Sequence, residues 1–164
     1  MLEAYEKLQK SEEFEKTDLT GFELVHCFCM KSPQIQHPPW QFGYYHLDKQ
    51  QMIEFHVHDS KIEIMHNSEL LKDPNTQLLA LSLDGVLSQQ EIEEKTIAFL
   101  EKTYTHAHTQ TKILLLQNIA EFGIVWNVTY ILITWQTVNV KFDAKTGEVK
   151  AHAIQNLLDT KQGN

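Results

Sequence analysis

A carboxylate and two imidazoles alternate along one short stretch of the chain, EFHVH at residues 54–58. Alternation with a period of two predicts a β-strand, which would place Glu54, His56 and His58 on the same face. A His-x-His pair on a strand can supply two zinc ligands, and a carboxylate can complete such a site. The further histidines that neighbouring strands could bring close are His26, His46 and His66.

The same stretch also fits a simpler interpretation, the solvated polar face of an amphipathic strand. No second cluster with regular ligand spacing supports a metal centre. The other His-x-His pair, His106 and His108, follows a predicted helix, where an imidazolium interacts favourably with the helix dipole. We therefore expect no cofactor and no metal, and keep a metal-binding protein or metalloenzyme using Glu54, His56 and His58 as an alternative.

Two cysteines, Cys27 and Cys29, are the only candidate thiol nucleophiles. Two residues apart on a strand they share a face, and we interpret them as reduced, buried thiols. His26 precedes Cys27 directly, so its side chain points to the opposite face and is badly placed to act as a base. The sequence also contains no glycine-rich phosphate loop and no nucleophile elbow. We expect the protein not to be an enzyme.

Aromatic residues after the loop SPQIQHPP are a stronger functional lead. Trp40, Phe42 and Tyr44 alternate along a predicted strand and would share one face. Tryptophan and tyrosine are enriched at binding hot spots, so a groove on a curved sheet could take a peptide or a small apolar ligand. The competing interpretation is that the three side chains are ordinary core residues.

Composition excludes several classes of function. The chain has 164 residues and a net charge of −8, from 22 acidic residues and 14 basic ones that are all lysine. Without a basic stripe we expect no nucleic-acid binding. No segment reaches the roughly 18 apolar residues that a spanning helix needs, so we expect no membrane insertion. The charged N-terminus lacks a signal peptide, which predicts a cytoplasmic protein; an upstream anchor would instead place it outside the cytoplasm.

Local patterns predict several elements. Ser88 and Glu91 form a capping-box pattern at the start of a helix. Alternation around residues 40–64 predicts an antiparallel meander. The stretch VNVKFDAKTGEVKAHAI predicts a hairpin in which Asp143 accepts backbone hydrogen bonds and Gly147 adopts a positive φ.

The two halves of the chain follow a similar order. Trp40 and Trp126 are 86 positions apart, and Asp59 and Asp143 are 84 apart. We interpret this as a duplication, with one half over residues 1–75 and the other over 76–164, which could also form one compact unit.

The second half resembles the PepSY domain family over about residues 88–154. The matching residues are Ser88, Glu91, Trp126, Val128, Tyr130, Val140, Phe142, Asp143, Ala144, Thr146, Gly147, Glu148 and Val149. The resemblance implies a small cystatin-like module, a role in binding or restraining peptidases, and no catalytic residues. The first half keeps Trp40 and Asp59 and would be a degenerate copy.

Together these observations predict an α+β protein built from two cystatin-like or PepSY-like repeats, each a helix packed on an antiparallel β-sheet. The expected function is a non-catalytic binding or regulatory module for a protein or peptide partner, such as a peptidase. A carrier of a small apolar ligand is a further alternative. The sequence does not determine the oligomeric state.

Overall fold

The computed structural model describes residues 1–35, 37–66, 78–104 and 109–156. Three helices lie in this part of the chain: α1 (Leu2–Gln9), α2 (Glu12–Lys16) and α3 (Gln89–Thr103). The strands are β1 (Glu23–Lys31), β2 (Trp40–His46), β3 (Gln51–Val57), β4 (Ile62–His66), β5 (Thr109–Ile119), β6 (Gly123–Leu132), β7 (Gln136–Asp143) and β8 (Val149–Asn156).

All these strands form one eight-stranded sheet in the order β4-β3-β2-β1-β5-β6-β7-β8. Each strand pairs antiparallel with its neighbours, and β1 pairs with both β2 and β5. The first four strands and the last four are therefore hydrogen-bonded into a single sheet.

This sheet-dominated fold corrects the sequence-based prediction. Two cystatin-like or PepSY-like α+β repeats, each with its own helix on its own sheet, are wrong. The physical reason is the β1–β5 pairing, in which Cys27 lies opposite Leu116 and Cys29 opposite Leu114. An isolated sheet edge leaves backbone donors and acceptors unpaired, and this pairing satisfies them. The boundary proposed between residues 75 and 76 falls outside the described residues.

One face of the sheet, called here the core face, carries the hydrophobic core and all three helices. Tyr5 of α1 packs on Phe42 with ring centroids 5.3 Å apart. Phe14 of α2 packs on Phe55 at 5.5 Å and on Tyr44 at 5.8 Å. Leu8 of α1 is fully buried in the core cluster, so aromatic and aliphatic contacts together attach the N-terminal helices.

The third helix attaches to the core face through both apolar and ionic contacts. Its capping box of Ser88 and Glu91 is present, as predicted. Its buried residues are Ile92, Thr96 and Leu100, and Ile92 and Leu100 belong to the core cluster. Just before the helix, the backbone carbonyl of residue 87 accepts a hydrogen bond of 3.1 Å from the indole of Trp126.

The carboxylate of Glu93 anchors α3 to the two central strands. It forms ion pairs with Lys31 of β1 at 2.7 Å and with Lys112 of β5 at 2.5 Å. Burial alone would raise the pKa of Glu93, but the hydrogen bonds from Lys112 and Lys31 outweigh it and lower the pKa to about 2. The carboxylate therefore stays charged in the folded protein.

A β-bulge in β1 decides which of its side chains face the core. Leu24 pairs with Tyr44 and His26 with Gly43, so Val25 is an extra residue in β1. Leu24 belongs to the core cluster, whereas Val25 packs in a small second cluster. Strict alternation would place Leu24 and His26 on the same face, and the bulge separates them.

The predicted hairpin between β7 and β8 is confirmed. The Asp143 carboxylate accepts hydrogen bonds from the backbone N–H groups of Lys145 at 3.0 Å and Thr146 at 2.9 Å. These bonds lower the pKa of Asp143. Gly147 has the positive φ of +70° that the turn needs.

Across the described parts of the chain, no helix combines the length and apolar character needed to cross a bilayer.

Candidate functional site

The face of the sheet opposite the helices, called here the open face, carries a central strip of apolar side chains. Phe28 lies opposite Leu115 and Met30 opposite Ile113, which makes two cross-strand pairs on β1 and β5. Met30 is 40% exposed and the other three are partly exposed. The apolar strip is defined as these four residues and Ile131 on β6, which is also partly exposed.

Polar but uncharged side chains border the strip on its β6–β7 side. Asn127 lies opposite Leu115, and Thr129 lies opposite Ile113. The amide of Asn139 on β7 donates to the side-chain oxygens of Asn127 at 2.5 Å and Thr129 at 2.7 Å. The apolar strip is therefore bordered on this side by an ordered hydrogen-bonded cluster.

On its other side the open face holds a cluster of His26, Glu54 and His56, called here the imidazole–carboxylate cluster. His26 Nε2 lies 3.4 Å from Glu54 Oε1, and His56 Nε2 lies 3.5 Å from Glu54 Oε2. All three side chains are between 14% and 22% exposed. One carboxylate therefore serves two imidazoles, one at each oxygen.

Gly43 is the residue that allows this cluster to form. In the sheet, His26 on β1 pairs with Gly43 on β2, which pairs with Glu54 on β3. The His26 ring reaches over the glycine, so a Cβ at position 43 would lie 2.1 Å from its Cε1 atom. Any other residue at position 43 would push the imidazole away from the carboxylate.

The structure separates the residues of the candidate metal site. Glu54 and His56 lie together, but His58 Nε2 pairs instead with Glu63 Oε2 on β4 at 2.8 Å. Within the described ranges, no group of three or more histidine, cysteine, aspartate or glutamate side chains is arranged to hold a metal ion. His106 and His108 lie outside the described residues.

The three candidate binding residues lie on the core face. Trp40, Phe42 and Tyr44 are 8%, 0% and 6% exposed. The ring centroids of Trp40 and Trp126 are 6.2 Å apart. The Tyr44 hydroxyl donates a hydrogen bond of 3.2 Å to the Tyr5 hydroxyl. Burial and then this hydrogen bond raise the pKa of Tyr44. Binding by these residues stays a prediction, and the proposal below rests on others.

The cysteines are reduced and buried, as the sequence indicated. Burial raises the pKa of Cys27 and raises that of Cys29 to about 11. A thiol held in this way is protonated at neutral pH and is a poor nucleophile. That the protein is not an enzyme stays a prediction.

Sequence reasoning did not find the apolar strip, because a strand that is apolar on both faces is usually a strand covered on both faces. The available signal was the run of apolar residues in FELVHCFCM and KILLLQNI, which has no polar face. Such a run fits a strand covered on both faces, but it also fits a strand whose second face is exposed and can bind a partner. Only the placement of the helices distinguishes the two.

Comparisons with known proteins add information on the fold alone. No family model matches the chain, and no curated protein matches it. Among solved structures, the chain is similar to a "putative lipoprotein" from Clostridium difficile 630, with a TM-score of 0.56 and 10% sequence identity. The match covers 87% of this chain and 89% of that one. The resemblance to PepSY domains stays a prediction.

Proposed function

We propose that this protein is a non-catalytic binding module that recognises a protein or peptide partner through the apolar strip. The observation that carries the proposal is the position of the strip on the face opposite the helices. Phe28, Ile113, Leu115 and Ile131 are only partly covered there, and Met30 is well exposed. Contiguous apolar side chains on an exposed face are typical of interaction sites.

The surroundings of the strip favour a macromolecular partner. Protein interfaces commonly combine an apolar centre that is poor in charges with a polar rim. The strip has this arrangement, because Asn127, Thr129 and Asn139 border one side. On the other side, Gln41 of β2 lies opposite Phe28, and His56 of β3 lies opposite Gln41.

No specific observation favours the other candidate functions. A carrier of a small apolar ligand needs a deep apolar cavity, whereas bulky side chains such as Phe42 and Trp126 are packed in the core. A metal-dependent function would need converging ligands, and His58 is paired with Glu63 instead of Glu54. A peptidase is the first partner class to test, because the resemblance to PepSY domains implies it.

The location of the protein stays a prediction: cytoplasmic, or outside the cytoplasm if an upstream anchor is present.

Photo-crosslinking in cells tests the proposal. A photoreactive phenylalanine analogue at position 30 samples the strip, and the same analogue at position 97 samples the outer side of α3. Met30 and Ile97 are 40% and 48% exposed, so the two positions are comparably accessible. We expect a discrete partner at position 30 that is absent at position 97.

The purified partner then gives the quantitative test. Met30→Glu places a carboxylate in the strip, and Ile97→Glu makes the same chemical change on α3. Desolvating a charge in an apolar interface is costly, so we expect Met30→Glu to weaken binding by about tenfold or more. Equal affinities for the two variants would refute a binding role for the strip.

A further inference from the structure

A second surface is a groove between α2, the residues that follow it, and the strands β3 and β4 at the end of the sheet. Its volume is about 570 Å³, within the usual range for binding clefts. Ile53 and Ile64 supply its apolar part. The groove, called here the edge groove, is lined by Glu12, Glu13, Lys16, Thr17, Asp18, Ile53, Ile64 and His66.

The walls of the edge groove are held in place by contacts outside it. Phe14 attaches α2 to the core face, and the Ser11 hydroxyl caps this helix by accepting from the Phe14 N–H at 3.2 Å. Lys7 of α1 donates to the backbone carbonyls of His58 at 2.8 Å and Asp59 at 2.7 Å. These two bonds fix the turn that leads into β4.

The charge of the edge groove is negative. Glu12 is paired with Lys16 at 2.6 Å, which leaves the carboxylates of Glu13 and Asp18. Neither forms an ion pair with any residue that the structure describes. Hydrogen bonds from Thr20 lower the pKa of Asp18, which keeps this side chain ionised at neutral pH. A cationic group is therefore the complementary ligand chemistry.

The strand beside the groove is the terminal one of the sheet. β4 pairs with β3 on one side, and no described strand pairs with its other side. An edge strand directs alternate N–H and C=O groups outward, where an extended peptide can add as a further strand. Every second side chain of such a peptide would face α2 and its carboxylates.

We propose that the edge groove binds an extended, basic peptide segment, which pairs with β4 and directs lysine or arginine side chains toward Glu13 and Asp18. The apolar side chains between the basic ones would point to the opposite face of the sheet, beside Met65 of β4, which is 48% exposed. This site is on the sheet edge and involves no residue of the apolar strip, so it stands independently of the function proposed above.

A peptide titration tests this proposal on the full chain. The probe is a fluorescently labelled seven-residue peptide of alternating lysine and valine, measured by fluorescence anisotropy at low salt. The first control peptide alternates glutamate and valine. The second carries N-methyl groups on alternate backbone amides of the lysine peptide, which removes donors without changing its charge.

Two charge reversals separate the groove from the general negative charge of the protein. Glu13→Lys changes the groove, and Glu101→Lys makes the same change at an exposed position of α3. We expect saturable binding of the lysine peptide, weakened about five- to tenfold by Glu13→Lys and unchanged by Glu101→Lys. N-methylation should weaken it at least as much, and Met30→Glu should leave it unchanged.

Three results would overturn the proposal. The lysine peptide could fail to bind, or it could bind both charge-reversed variants equally, which would mean attraction to the overall charge only. Equal binding of the N-methylated peptide would exclude strand addition to β4. Loss of partner binding on Met30→Glu with peptide binding intact would show that the two surfaces act separately.

Discussion

On β1, Cys27 and Cys29 are 0% and 1% exposed, whereas the next residue, Met30, is 40% exposed. The same contrast recurs on β5, where Leu114 and Leu116 are fully buried and Leu115 between them is partly exposed. The strands are apolar on both sides, but the helices cover only the core face. The difference shows that apolar residues allow either face of a strand to be buried. Which face is buried depends on where the helices pack.

The two faces also differ in how their polar groups are satisfied. On the core face, Glu93 is an anchor that ties α3 to β1 and β5. On the open face, Glu54 instead joins side chains of the sheet itself, His26 and His56. The core face therefore uses its polar contacts to fix a helix, and the open face uses them to order a surface.

The largest expected effect is the loss of an aromatic residue from the core face. Phe55 is fully buried and contacts the rings of Phe14 and Tyr44. Phe55→Ala should lower the free energy of unfolding by about 3–5 kcal/mol, because it leaves a cavity under α2. Chemical denaturation measures this value.

Phe28→Ala is the matched change on the open face. Since Phe28 is already partly exposed, we expect a loss of about 1–2 kcal/mol. Equal losses for the two variants would contradict the comparison, because they would mean that the open face is as well covered as the core face.

Gly43→Ala should produce an unusually large effect for the open face. The added methyl group would meet the His26 ring, with a Cβ–Cε1 distance of 2.1 Å before relaxation. We expect a loss of about 1–3 kcal/mol in unfolding free energy. Ordinarily alanine is better than glycine inside a strand, so the sign of the change reports the packing of the imidazole.

A double-mutant cycle sharpens this prediction. In a His26→Ala background the ring is absent, so Gly43→Ala should become neutral or stabilise the protein by about 0.5 kcal/mol. Additive losses would show that position 43 does not hold the imidazole–carboxylate cluster together.

The Glu93 anchor predicts a dependence of stability on pH. Its pKa in the folded protein is about 2, below the ordinary value of 4.5. The carboxylate therefore stabilises the fold above pH 4.5, and this contribution is lost as the pH falls toward 2. Discounted for its partial exposure, the effect is about 1–2 kcal/mol at neutral pH.

Glu93→Gln should remove that contribution and flatten the acid side of the stability profile. Glu101→Gln is the control, since it makes the same change at an exposed position of the same helix and should alter stability by less than about 0.5 kcal/mol. Thermal unfolding across acidic and neutral pH gives both profiles. Identical profiles for the two variants would show that Glu93 does not anchor α3.

The parts of the fold that sequence predicted correctly are those determined by neighbouring residues. The capping box at Ser88 and the turn at Asp143 each depend on a few residues close together in the chain. The pairing of β1 with β5 depends instead on residues more than eighty positions apart, such as Cys27 and Leu116. Nothing local distinguishes one sheet from two.

The candidate surfaces were hidden from sequence for a related reason. The imidazole–carboxylate cluster requires the register of three strands and the bulge at Val25, which moves His26 to the open face. Period-two alternation predicted Glu54 and His56 on one face correctly, and His26 was one of three histidines expected to be able to lie near them. Only the strand register and the bulge show that His26 is the one beside Glu54. Similarly, tryptophan is a residue type enriched at binding sites, and only the position of the helices shows that Trp40 is buried.

The smallest expected effect is that of Met30→Glu on the stability of the protein alone. The Met30 side chain is 40% exposed, so little apolar area is lost, and we expect a change within about 0.5 kcal/mol. A loss of several kcal/mol would mean that this part of the strip is covered in the free protein, which would remove the surface on which the proposed function rests. Near-neutral stability combined with weaker partner binding would instead assign the apolar side chains of the open face to recognition, as those of the core face are assigned to folding.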